Sequence, residues 1–167
     1  MKIRDTAIGL FLVVLMAGLG WLWLSPSGIR TMPEVNLTML DGSSSSLAQY
    51  KNKPLLITFW ATTCPGCIKE MPHLIELYKE LAPRGLEIIG IAMHYDPPEH
   101  VKNMISSRGV PYKIALDTNK AVMNAFAIRE LTPNSFLIDP AGRIVYHKVG
   151  EMDLKKVHAM INEMLSS

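Results

Sequence analysis

Two cysteines, Cys64 and Cys67, are all the chain has, and two residues separate them. A structural disulfide framework uses several cysteines that close long loops, and a bridge across two residues closes almost none. Two thiols at this spacing suit exchange chemistry instead. One thiolate attacks a disulfide sulfur, and a second thiol resolves the mixed disulfide that forms. A helix N-terminus under the pair favours this, because its unpaired N–H groups and dipole stabilise thiolate. Cys64, the first of the two, is then the attacking thiol. Cys67, one turn inside the helix and more shielded, is the resolving thiol.

The flanking residues supply that setting. Leu55 to Trp60 is a short apolar run that fits a buried strand, entered through Asn52-Lys53-Pro54. From Cys67 onward, Ile68, Met71, Leu74, Ile75, Tyr78, Leu81 and Ala82 recur at helical spacing. Pro72 should kink that helix, and Pro83 and Gly85 end it. Leu86 to Ala92 is a second buried strand. Asp96-Pro97-Pro98 opens a helix with Val101, Met104 and Ile105 inward, ending near Gly109. Tyr112 to Leu116 is a third strand, and Asp117 or Thr118 caps a helix running to about Ala127. After Leu131-Thr132-Pro133 come a strand at Ser135 to Ile138, a turn at Pro140-Ala141-Gly142, and an antiparallel strand at Arg143 to Val149. Asp153 caps a last helix with Leu154, Val157, Met160, Ile161 and Met164 on one side. Upstream, Val35, Leu37 and Met39 alternate, and Asp41-Gly42 is a tight-turn signal for a small hairpin. The order implies an α/β fold with a central mixed sheet flanked by helices on both faces.

The N-terminus reads as an address. Lys2 and Arg4 precede an uncharged run from Ala7 to Leu24, which as a helix would reach roughly 27 Å, close to the hydrocarbon thickness. Trp21 and Trp23 stand near its far end, where indole rings favour the interface. The basic residues keep residues 1–6 cytoplasmic, residues 7–24 form a transmembrane signal anchor, and residues 25–33 are a linker broken by Pro26, Gly28 and Pro33. Residues 34–167 then form a domain facing the periplasm or cell exterior, held to the cytoplasmic membrane by a single pass. A cleaved signal peptide is the alternative, with Gly18-Leu19-Gly20 as a weak site. The apolar run continues past it through Trp21 to Leu24, longer than cleavable signals allow. Outside the cytoplasm protein disulfides persist and exchange.

Composition excludes other classes. A length of 167 residues with 49% hydrophobic content fits one domain plus an appendage. A formal charge of +2, with both signs mixed along the chain, argues against nucleic acid as a partner.

The run Phe59-Trp60-Ala61-Thr62-Thr63-Cys64-Pro65-Gly66-Cys67, followed by Glu70-Met71-Pro72, resembles the thioredoxin-like reductases of the TlpA/ResA type. The resemblance extends from about Pro33 to the C-terminus. Asp41-Gly42 looks like the family's N-terminal hairpin, Pro98 to Arg108 with Tyr112 to Leu116 like its central insertion, and Thr132-Pro133 like its cis-proline turn. It implies a thioredoxin-like fold and a reductant of protein disulfides without a cofactor, kept reduced by a membrane electron donor of the thiol-relay type. It implies partners such as apocytochrome c or a copper-site maturation protein. It implies a redox-active Cys64–Cys67 disulfide, with Thr63, Pro65, Gly66, Thr132 and a cis Pro133 shaping the substrate site. Trp60 joins that set or packs behind the cysteines as a plain core aromatic. Glu70 matches the family's acidic residue beside the active site, proposed to help proton movement; the alternative is a solvated carboxylate on the helix surface. The chain departs from thioredoxin itself in having Thr58 where a buried Asp stands, which leaves Glu70 or water for acid–base work. It has Thr63 where many relatives have Trp, and Pro65-Gly66 in reversed order.

Three other functions compete. An oxidase or isomerase would use the same chemistry in another direction, set by reduction potential and partner. A copper or haem chaperone would bind through Cys64, Cys67 and His73 or His94; a closed zinc site needs four ligands, and no second CxxC exists. A thiol peroxidase is disfavoured by Ala61, which occupies the place of that motif's Thr.

Overall fold

The computed structural model describes residues 14–16 and 31–166. The expected anchor lies outside them apart from Val14 to Met16, as do linker residues 25–30. Among the described residues no helix is long and apolar enough to cross a membrane.

Among the described residues from Thr31 onward, the strands and α-helices are, in order, β1 (Asn36–Met39), β2 (Ser44–Ser46), β3 (Leu55–Trp60), α1 (Pro65–Leu81), β4 (Glu87–Ala92), α2 (Pro98–Arg108), β5 (Lys113–Leu116), α3 (Ala121–Ala125), β6 (Asn134–Ile138), β7 (Ile144–Val149) and α4 (Leu154–Ser166). The strands form one sheet in the order β2-β1-β5-β4-β3-β6-β7. The central β5, β4 and β3 are parallel, and the pairs on either flank are antiparallel. The expected mixed sheet is therefore present, with β1 and β2 as its hairpin.

β3 is buried along its whole length because helices and turns cover both faces. Its side chains alternate, as a pleated strand requires. Leu55, Ile57 and Phe59 enter one cluster with Leu37, Val122, Phe126 and Phe136. Leu56 and Trp60 enter the other, with both cysteines, α1 and α4. Phe59 meets Phe126 and Phe136 edge-on, with ring centroids 5.5 and 6.2 Å away. Burying each large side chain of this kind contributes about 1.5–3 kcal/mol.

α1 buries Cys67, Glu70, Met71, Leu74, Leu77 and Leu81 along one stripe and runs through Pro72, which faces solvent. α3 is shorter than expected, ending at Ala125 before a left-handed Ala127 at φ 48°. Lys120 takes the N-cap position without a side-chain bond, and Asp117, three residues earlier, does the capping: its carboxylate accepts the N–H groups of Val122 and Met123 at 2.9 and 2.8 Å. In α4, Asp153 caps through Lys156 N–H at 3.1 Å, and Val157 and Ile161 are buried. Thr31 and Met32, expected in the linker, also touch the domain. Thr31 bridges Arg143, Met32 donates its N–H to the Gly142 carbonyl at 2.8 Å, and the Met32 side chain is buried in the core.

Candidate active site

β3 delivers the chain to the carboxyl end of the sheet, and α1 starts five residues later. Cys64 is the N-cap, with extended backbone at φ −94° and ψ 106°. Pro65 takes the first helical position, where its missing N–H costs nothing and its fixed φ suits the helix. Cys64 Sγ accepts the Cys67 N–H at 3.2 Å, the bond an N-cap oxygen would accept. The two sulfurs are joined as a disulfide, 2.13 Å apart, with Cα atoms at 5.3 Å. Cys67 is slightly the more buried, at 5% exposure against 8%.

The loop ahead of Cys64 is held from the next strand. Asp96, buried after β4, accepts the Thr62 N–H at 2.6 Å and the Thr62 hydroxyl at 2.5 Å. The sequence showed Asp96 only as part of a loop and helix start.

A groove of about 480 Å³ opens over the motif. Thr63, Cys64, Pro65 and Gly66 form one side, and Thr132 and Pro133 face them; Cys67 is not in the lining. The Thr132–Pro133 peptide is cis, and the Pro133 carbonyl accepts the Gly150 N–H at 2.8 Å. Gly66 brings the motif turn against this proline, since a Cβ there would stand 3.4 Å from Pro133 Cδ. Tyr95, Gly150 and Glu151 complete the groove. None of these three carried a sequence signal, because they come from loops distant in the chain. Tyr95 is 45% exposed and lies edge-on to His94, whose Nε2 is 2.8 Å from Glu130. Glu130 is held below the usual carboxylate range by its hydrogen bond to Lys120, then by His94.

Glu70 is buried, so the solvated-surface alternative does not hold. It lies one turn beyond Cys67 on the same face of α1. Its Oε1 accepts the Met152 N–H at 2.6 Å. Burial pushes its carboxyl above the ordinary range; the Met152 N–H opposes this and the charge of Glu151 adds to it. Thr58 is buried on the cysteine face, and its Oγ1 accepts the Ser135 hydroxyl at 3.0 Å.

Trp60 is placed behind the cysteines rather than in the groove. It is buried in their cluster, and its Nε1 has no hydrogen-bond partner among the described residues. A direct substrate contact for Trp60 is thus not part of the geometry. His73 and His94 do not line the groove either; His73 faces Glu76 at 4.0 Å, and His94 is bonded to Glu130.

The chain and its fold have counterparts among known proteins. The Redoxin family profile matches residues 28–162. The chain belongs to the Redoxin family. Among Redoxin relatives, thiol-disulfide oxidoreductase ResA of Bacillus anthracis is 32% identical over 136 residues, covering 81% of this chain and 77% of that one. ResA of Bacillus subtilis (strain 168) is 32% identical over 130 residues, 78% of this chain and 72% of that protein. The crystal structure of a thioredoxin-family thiol:disulfide interchange protein from Chlorobium tepidum TLS superposes with a TM-score of 0.73. It is 27% identical and covers 84% of this chain and 99% of that one. This redoxin is accordingly a thiol–disulfide oxidoreductase of the ResA type with a thioredoxin-like fold, and protein thiols are its substrates.

Proposed function

We propose that this redoxin works outside the cytoplasm, moored by its N-terminal segment, as a reductant of protein disulfides. One observation carries the division of labour: Cys64 lines the groove beside Pro133 while Cys67 lies behind it. In the reduced protein, the N–H groups at the start of α1 stabilise the Cys64 thiolate. That thiolate attacks one sulfur of a client disulfide, a mixed disulfide forms, and the client's other sulfur leaves as thiolate. Cys67 loses its proton and attacks Cys64 Sγ. The client's second thiol is released, and the Cys64–Cys67 disulfide forms with two electrons passed to the client. Glu70, buried one turn beyond Cys67, supports a role in moving that proton. Thr63, Pro65, Gly66, Thr132 and Pro133 are the surface on which the client segment lies.

The reductive direction is supported by the resemblance to TlpA/ResA reductases, which also points to a membrane thiol-relay donor and to apocytochrome c or a copper-site protein as clients. The reduction potential of the pair, measured by equilibration with glutathione, tests it. A value near or below roughly −270 mV fits a reductase with a membrane electron supply. A value near roughly −120 mV would make the protein a disulfide donor and end this reading.

A further inference from the structure

Among the described residues, Glu151 is the one formally charged side chain in the lining of the groove over Cys64. Its stem lies against the motif turn, where a Cβ on Gly66 would stand 3.8 Å from Glu151 Cγ. The Glu151 stem and the motif turn are thus in ordinary van der Waals reach of each other, in the groove that Cys64 also lines. Lys69 Nζ holds it at 2.8 Å from the solvent side, and Lys69 itself does not line the groove. The two side chains are 71% and 52% exposed. An ion pair this open is weak and screened, so an incoming cation can share or displace Lys69. The half-exposed ring of Tyr95 belongs to the same groove. A carboxylate and an aromatic face in one groove suit a guanidinium, which pairs with the first through its fork and stacks on the second.

We propose that Glu151 is a specificity-determining residue that selects client segments carrying an arginine beside the cysteine under attack. The proposal rests on Cys64 being the attacking thiol. It adds charge recognition to a groove whose other walls are neutral.

The test uses the reduced full chain in a non-ionic detergent. The probes are extended peptides whose single cysteine is capped by 2-mercaptoethanol as a mixed disulfide, with Arg, Gln or Glu flanking it. Second-order rate constants are measured at low and high salt. The arginine peptide is expected to react about threefold faster than the glutamine peptide at low salt, with the glutamate peptide slowest. In Glu151→Gln the ratio falls to about one, Glu151→Asp restores part of it, and Lys69→Gln widens it. A fault in folding or in thiol chemistry lowers all three rates together and leaves the ratio intact, so the ratio reports recognition alone. An equal ratio in the parent and in Glu151→Gln overturns the role of Glu151 and leaves Cys64 untouched. If no peptide reacts with the parent protein, the assignment of Cys64 fails and the proposal falls with it.

Discussion

Met152 donates its backbone N–H to the buried carboxylate of Glu70 at 2.6 Å, across 82 residues of sequence. The bond ties the active-site helix to the loop that precedes α4, and it leaves Glu70 tilted toward its neutral form because burial outweighs the single donor. Glu70→Gln should therefore keep the fold while slowing exchange and altering its pH–rate profile. The sign for stability is set by the raised pKa. The folded protein holds the Glu70 proton to higher pH than the unfolded chain, whose value is near 4.5. The stabilisation from this proton is complete below that value and is lost as pH rises through the folded pKa. The parent should thus lose stability relative to Glu70→Gln above about pH 4.5, read from urea midpoints across pH 4 to 8. A difference that does not change with pH, or that grows in the parent's favour, would sink the argument.

The cysteine assignments separate by trapping. Cys64→Ser should abolish exchange with a client disulfide. Cys67→Ser should still attack, then stall as a mixed disulfide visible as an added client mass. Normal turnover by Cys67→Ser would reverse the two roles.

Asp96 anchors the loop ahead of the motif through two bonds to Thr62. Asp96→Ala should lower stability by about 1–3 kcal/mol, with Asp96→Asn closer to the parent because an amide oxygen can still accept. Denaturant unfolding of both variants measures this. A parent-like midpoint for Asp96→Ala would show that the loop is held by other contacts.

Gly90 sits in β4 beneath the indole of Trp60. A Cβ there would stand 2.8 Å from Ile114 Cδ1 and 3.0 Å from Trp60 Nε1. Gly90→Ala should cost about 1–3 kcal/mol through overpacking and shift the tryptophan emission. Unchanged stability would mean that Ile114 yields without strain.

Much of this was legible in the residues because the cues were local. Leu55 to Trp60 is apolar throughout since both its faces are covered, and the observed strand has those limits. Pro98 and Gly109 bracket α2 as its punctuation implies. The cysteine spacing and Pro65 mark the start of α1 without any tertiary information. What escaped depends on partners far along the chain. Glu70 was legible as a candidate acid beside the cysteines, but its burial was not, because the Met152 loop that covers it lies 82 residues away. Tyr95 and Glu151 sit in loops with no periodicity and meet only because the sheet brings their ends together. Asp117 was legible as a cap, but the brevity of α3 was not, because the left-handed Ala127 that follows it is a tertiary compromise at a residue with no preference for that conformation. Met32 read as linker among prolines and glycines, although its side chain belongs to the core.

The bridge between Thr31 and Arg143 gives the molecule a polarity. It lies beside the turn joining β6 to β7, and Ile138 at that turn pairs with Leu55, where β3 begins. The cysteines follow Trp60, where β3 ends, five strand steps or roughly 17 Å away. The chain thus enters the domain by the stern and carries its sulfurs at the bow. A client segment that reaches Cys64 therefore meets the end of the sheet opposite the one where residue 31 joins it.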